Sequence, residues 1–275
     1  MNVLDKFPLV LIFIAGVASQ ILFIELGYRM ATFKPGKHDK AQMAQVRAIM
    51  GASLGLLAFM LAFSFNTAQQ HFEERSQAYM LEVSAIDSAF RGADLIAKEE
   101  RQEAKELLTD FARLRVKTKE VVRDNDMDAL VEMIRESERM HDRLWALAER
   151  SMEGAGDGED TGIFAQAILS MIDAHDIRLQ TVFFNRVSPI IWFSLYGMAL
   201  MSMAIVGYQA GLTGTRSSFA TWTLALTFAF VMALITDLDR PRMTLFQQNQ
   251  NLMMEMQHRM EGGDYWDPAV HRGDR

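Results

Sequence analysis

Apolar and charged positions are segregated along this chain. Residues 8–24, 48–70, 187–215 and 217–236 contain no Asp, Glu, Lys or Arg. The apolar runs Pro8–Tyr28, Ile49–Ala68, Pro189–Leu212 and Phe219–Asp237 overlap these stretches. Each is about 20 residues, and 20 helical residues span about 30 Å, the thickness of a bilayer's hydrocarbon core. None alternates with the two-residue period of a barrel strand. The first run is too long for a cleaved signal, the segment before it carries only Asp5 and Lys6 as charges, and no small-x-small cleavage site leads into a soluble domain.

The segment between the second and third runs carries apolar residues at helical spacing. Phe72, Tyr79, Val83, Ile86 and Phe90 are 7, 4, 3 and 4 apart, one face of a helix that continues out of the second span. Glu99–Arg123 repeats the pattern with Leu107, Leu108, Phe111, Leu114 and Val122, and Asp126–Arg150 with Leu130, Met133, Ile134, Met140, Leu144 and Leu147. The glycine-rich stretch Gly154–Gly162 reads as a loop. Ile163–Arg186 is a further amphipathic helix running into the third span, with Pro189 expected as a kink. A Met-rich amphipathic stretch, Met243–Met260, is expected to pack along the bundle or the interface.

The pattern predicts an all-α membrane protein, four transmembrane helices with a helical-bundle insertion between the second and third. The expected divisions are 1–68, first two spans; 69–188, extramembrane bundle; 189–237, last two spans; 238–261, amphipathic segment; 262–275, disordered tail. Composition fits this division. A chain half hydrophobic and 23% charged with net charge −7 averages over two materials, and the negative charge falls mainly on the insertion and tail. If the insertion forms the vestibule of a pore, that charge would concentrate cations. With no cysteine there is no disulfide framework.

Four spans put both termini and the insertion on one side. The first hairpin loop holds Arg29, Lys34, Lys37, Lys40 and Arg47 against Asp39, and the second holds Arg216. The opposite flanks hold Lys6, Arg75, Arg178, Arg186, Arg240 and Arg242, as many cations spread over more than twice the length. Cation density near span ends sets orientation, so the hairpin loops are expected in the cytoplasm and the bundle outside it.

Glu25, near the end of the first span, is an ionisable residue within a span. Intramembrane charge points to function by default, but Arg29 one turn on offers an ordinary partner. Gly51-Ala-Ser-Leu-Gly55 permits close helix approach. Ser53, Leu57, Met60 and Ser64 follow one face, flanked by the rings of Phe59 and Phe63. Polar ends with an apolar middle suit a pore lined by one helix per subunit, and suit a bundle-facing stripe equally well. Glu138 and His141 match half of a di-iron spacing whose second half is missing. Asp173, His175 and Asp176 converge on no single point. There is no nucleotide loop, nucleophile elbow, zinc motif or basic aromatic patch. The expectation is therefore no catalytic residue, metal or cofactor, and no nucleic-acid partner.

Two segments carry a resemblance. One is the exit of the second span, Gly55–Phe65 with Phe72–Gln77 and Glu82–Leu95; the other is Asp237-Leu-Asp-Arg-Pro-Arg242. Together they resemble a bacterial membrane family described as bestrophin-like. The resemblance implies a multi-pass protein of the bacterial inner membrane, an oligomeric anion channel with five as the suggested subunit count. Its family-like positions are Arg75, Glu82, Arg91, Asp237, Asp239, Arg240 and Pro241, where a charge network at the span exits is expected. The function read from the sequence is a homo-oligomeric ion channel with the second span lining the pore and the insertion forming a vestibule. The alternatives are a non-conducting structural or sensory protein acting through a partner, and a motor-stator-like energy-coupling protein. A stator places its insertion in the cytoplasm, so a reporter at Gly156 separates it from the other two.

Overall fold

The computed structural model describes residues 7–33, 40–124, 127–154, 159–214, 218–240 and 251–262. The basic residues Lys34, Lys37 and Arg216 of the hairpin loops, Lys6, Pro241, Arg242, Gly156 and the tail after Gly262 lie outside them. Among the described residues the chain is helical with no strand. The helices are α1 (Leu9–Thr32), α2 (Lys40–Gly92), α3 (Lys98–Asp124), α4 (Met127–Gly154), α5 (Glu159–Phe184), α6 (Pro189–Thr213), α7 (Ser218–Asp239) and α8 (Asn251–Met260). α1, the first part of α2, α6 and α7 are long and apolar enough to cross a membrane.

Local chemistry explains the boundaries. α2 runs unbroken for 53 residues because no proline interrupts it, and it stops in a 3-10 turn, Ala93–Leu95, before extended Ile96. α3 opens with Glu99 and Glu100, whose charge favours the positive end of a helix dipole. Pro189 does not kink a continuous helix. The chain leaves helix at Asn185–Ser188 and Pro189 opens α6 at its first turn, where its missing N–H costs nothing. α6 ends at Gly214, with φ +64°, the left-handed conformation glycine adopts without strain.

The chain divides into two compact units. One comprises Met1–Phe72 and Arg186–Thr244, the other Glu73–Asn185 and Leu245–Arg275. The first holds the four apolar spans. α1 and α6 run parallel, with Ile24 beside Gly207, Gly27 beside Ala204 and Tyr208, and Ala31 beside Gly211. A Cβ built on Gly27 or Gly207 would lie 1.9 Å from a carbonyl oxygen of the facing helix, so the two backbones touch. Leu57, Leu61 and Ala68 of α2 pack with Trp192, Leu195 and Ala199 of α6 and Met232, Ile235 and Leu238 of α7. Large side chains on the outside, such as Val10, Phe193 and Phe230, are the surface a lipid-facing bundle presents.

The second unit is a water-type bundle, apolar within and charged without. Ile86, Leu108, Phe111, Leu144, Leu147, Phe164, Ile168 and Met171 form its core. α8 belongs to it through buried Met253 and Met256, the Tyr79 hydroxyl that accepts from the Met253 N–H at 3.1 Å, and Arg113 paired with Glu261 at 2.8 Å.

Candidate functional site

Four helices of the second unit each place a polar residue where their apolar stripe calls for an apolar one. On α2 the inward positions run Ala78, Tyr79, Glu82, Ala85, Ile86. On α3 they run Leu107, Leu108, Phe111, Arg115; on α4 Ser137, His141, Leu144; on α5 Ile168, Met171, His175. These spacings of three and four keep one helix face, so the stripes that build the core also carry Glu82, Arg115, His141 and His175 into it.

There they meet. Glu82 has no exposed surface. Its Oε1 accepts from His175 Nδ1 at 2.9 Å, Arg115 Nε lies 3.2 Å from the same oxygen, and Arg178 donates to Oε2. Arg178 also stacks 5.0 Å over the Tyr79 ring. The His141 ring sits 4.9 Å from that of His175 and 5.1 Å from that of Phe111. An ionised carboxylate can only accept, so His175 presents its Nδ1–H to Glu82. The Nε2 atoms of both imidazoles are buried without a hydrogen-bond partner.

The electrostatics follow from this packing. Burial pushes the Glu82 carboxyl up, but Arg178, Arg115 and the His175 bond together outweigh it and hold the group well below the usual carboxylate range. Burial pulls the Arg115 guanidinium down to about 10, with Glu82 opposing the fall. His141, desolvated and facing His175 and Arg115, is lowered to about 4. Two guanidiniums therefore face one carboxylate, beside two imidazoles. Among the described residues no group of three or more His, Asp and Glu is placed to hold a metal ion.

Acid should loosen this unit. His141 resists protonation when folded but takes a proton at its ordinary value, 6.5, when unfolded. Stability is therefore greatest above pH 6.5 and falls as pH drops towards 4, by about 3 kcal/mol for a shift of this size. Glu82 adds to the loss at lower pH, since its contribution is present above its unfolded value, 4.5, and disappears as pH falls below that. Thermal unfolding of His141→Leu should show a flatter profile between pH 6.5 and 4. An unchanged slope would mean that other groups set it.

The span-exit residues fall into both units. In the first, the Val187 N–H donates to Asp239 Oδ1 at 2.8 Å, Arg186 lies 4.0 Å from Asp239, Asp237 is buried, and Arg240 donates to the Phe7 carbonyl at 2.9 Å. In the second, buried Arg75 donates to the Asn185 carbonyl at 3.3 Å, and Glu74 accepts from the Asn185 side chain at 2.6 Å. Arg91, exposed, pairs with Asp87. Glu82 sits in the bundle core with none of these.

The α2 set is divided in another way. Leu57 is buried against α6 and α7 with Met60 beside it, Ser64 is buried, and Ser53 Oγ is 3.0 Å from Ser202 Oγ. Phe59 and Phe63 point outward. Glu25 accepts from Arg29 Nε at 2.9 Å. Glu138, Asp173 and Asp176 are exposed while His141 and His175 are buried, so the motif spacings that brought the two histidines to notice are not what joins them. Their signal was register: each occupies a core position of its own helix.

No curated protein and no solved structure matches the chain. The family model described as a bestrophin-like domain matches residues 17–241, most of the sequence, from inside α1 to just past α7, and the chain belongs to the bestrophin-like family of membrane proteins.

Proposed function

We propose that the chain assembles with copies of itself into an ion channel in the bacterial inner membrane, with the outward face of α2 bordering the conduction path. The observation that carries this is the two-sided character of α2. Its inner face is used up within the subunit by α6 and α7, while Gly51, Ala52, Gly55, Leu56, Phe59 and Phe63 are exposed. A Cβ built on Gly51 or Gly55 meets nothing. Paired glycines four apart on an open helix face suit contact with another helix, and rings on that face make an apolar constriction. Ser53, Leu57, Met60 and Ser64 then support the wall from behind. The bundle serves as an extracytoplasmic vestibule, inorganic ions are the cargo, and five subunits is the count the family suggests. No catalytic step is assigned.

Purified protein in liposomes should pass ions, and Phe63→Ala should raise the flux several-fold by widening the constriction. Absence of flux at every pH, voltage and divalent concentration would overturn the channel. A second reading is favoured by the continuity of α2 from Lys40 to Gly92: a stiff helix can pass a signal to a partner without conducting. A monomeric or dimeric particle with no axial opening would support that reading instead.

A further inference from the structure

Sulfur in this chain is all thioether, 20 methionines and no cysteine. Four of them, Met253, Met254, Met256 and Met260, fall within the ten residues of α8. Met253, Met256 and Met260 are three and four apart, one helix face, and that face holds α8 to the bundle. Met253 and Met256 are 3% and 0% exposed, and Met260 packs partly against the same core. The polar attachments of α8 include the Met253 N–H on Tyr79 and Arg259 3.6 Å from Asp87. A helix of ten residues is marginal by itself, so α8 keeps its shape by staying docked. Other methionines of the bundle differ in one of two ways. Met80 and Met152 are exposed, and a polar group there stays in water at no cost. Met171 is fully buried in α5, a 26-residue helix, and no short segment can lift it out. α8 combines reach with consequence: Met254 and Met260 are only partly buried, and docking rests on the methionine face.

We propose that α8 is an oxidant-responsive catch, released when hypochlorous acid converts its methionines to sulfoxides. In each step the thioether Sδ gives up two electrons, the O–Cl bond of the oxidant breaks, an S–O bond forms, and chloride and a proton leave. A sulfoxide is polar where the thioether was apolar. At Met260 it faces the apolar core, and burying a polar group that gains no hydrogen bond is unfavourable, so the modified helix loosens. Met253 and Met256 then come within reach of the oxidant, and their sulfoxides oppose redocking. Release takes the Met253 N–H from Tyr79, whose ring carries Arg178 at 5.0 Å, and Arg178 donates to Glu82. The side of the charged centre that Tyr79 covers is thereby opened to water. Sulfoxides are reduced by methionine sulfoxide reductases, so the catch resets. It does not depend on whether the chain conducts ions, since all its parts belong to the second unit.

The test titrates hypochlorous acid onto the full-length protein in maltoside detergent. Mass spectrometry maps the sulfoxides, and hydrogen exchange reads backbone opening. Met254 and Met260 should be oxidised alongside exposed Met80 and Met152, with Met253 and Met256 following and Met171 last. Exchange in peptides covering α8 and residues 78–86 of α2 should quicken about tenfold as the α8 sulfoxides accumulate. Treatment with the two sulfoxide reductases and dithiothreitol should restore the slow rate. Met253→Leu, Met254→Leu, Met256→Leu and Met260→Leu in one chain keep the apolar volume, and that variant should show no quickening while Met80 and Met152 still oxidise. Met80→Leu with Met152→Leu leaves α8 intact and should respond like the parent, which keeps the test decisive if the α8 variant fails to fold. Oxidation of the α8 methionines no faster than Met171, unchanged exchange with α8 sulfoxides in place, or a quickening that persists in the folded α8 variant would each overturn the assignment.

Discussion

Gly207→Ala should unfold the membrane unit at a markedly lower temperature than the parent protein. Its new methyl would fall 1.9 Å from the Ile24 carbonyl oxygen and 2.9 Å from the Ile24 Cα. Both are backbone atoms, so no side chain can swing aside and α1 must move off α6 as a whole. Overpacking against adaptable side chains costs about 1–3 kcal/mol, and a contact with fixed backbone belongs at or above the top of that range. About 3 kcal/mol lowers the folded-to-unfolded ratio more than a hundredfold. Gly27→Ala meets the Ala204 carbonyl at the same 1.9 Å and should behave alike. The inter-helix Ser53–Ser202 hydrogen bond is a small term beside these, since such bonds average about 0.6 kcal/mol in membrane proteins. Gly51→Ala and Gly55→Ala are the controls: with open space around both, they should leave subunit stability unchanged and alter only association between subunits. Thermal unfolding in detergent, scored beside size-exclusion profiles, separates the effects. A Gly207→Ala protein that melts with its parent would remove the close approach as the feature holding α1 to α6.

These glycines mark the limit of what the sequence disclosed. Four spans and the helical insertion were legible because a missing charge over 17 or more apolar residues has one physical meaning in a chain without barrel periodicity. The same reasoning found Gly51 and Gly55 and passed over Gly207 and Gly211, which have identical spacing. A glycine pair identifies a helix surface that can be approached, not the helix that approaches it. The pore stripe met a related difficulty. Ser53, Leu57, Met60 and Ser64 share one face, Phe59 and Phe63 another, and only the packing of α6 and α7 shows which face the subunit consumes. In the bundle, Arg115 was passed over, and His141 and His175 were noticed but not joined, because motif spacing was sought within a helix. Their meeting depends on four helices stacking in register, and no single periodicity contains that. Each polar residue did, however, interrupt its own stripe, and a charged residue at a core position needs a partner from another stripe.

Arg115→Met should destabilise the bundle by about 3–5 kcal/mol, the usual cost of removing one side of a buried ion pair. Methionine fills similar volume, so the loss is electrostatic. Glu82, fully buried, would keep only Arg178, whose side chain is 16% exposed, and the His175 hydrogen bond. Glu82→Gln should cost a comparable amount for the opposite reason, leaving both guanidiniums uncompensated. Arg115 cannot escape by losing its proton, since even at about 10 deprotonation at pH 7 costs roughly 4 kcal/mol. Combining Glu82→Gln with Arg115→Met removes the charge and its countercharge together, and replacement of a buried pair by neutral groups is often tolerated. The double variant should therefore be more stable than the sum of the singles predicts, with a coupling of about 2–3 kcal/mol. Arg91→Ala offers the contrast: its partner Asp87 is also approached by Arg259 at 3.6 Å and its own side chain is 70% exposed, so almost no change is expected. Chemical denaturation of the four-protein cycle measures the coupling. Strict additivity would mean that Glu82 and Arg115 share a neighbourhood without depending on each other. A large coupling would mean that the charges were placed against one another, and a bundle with the apolar residues to fill its own core would then be retaining a charged centre at a cost that stability alone does not explain.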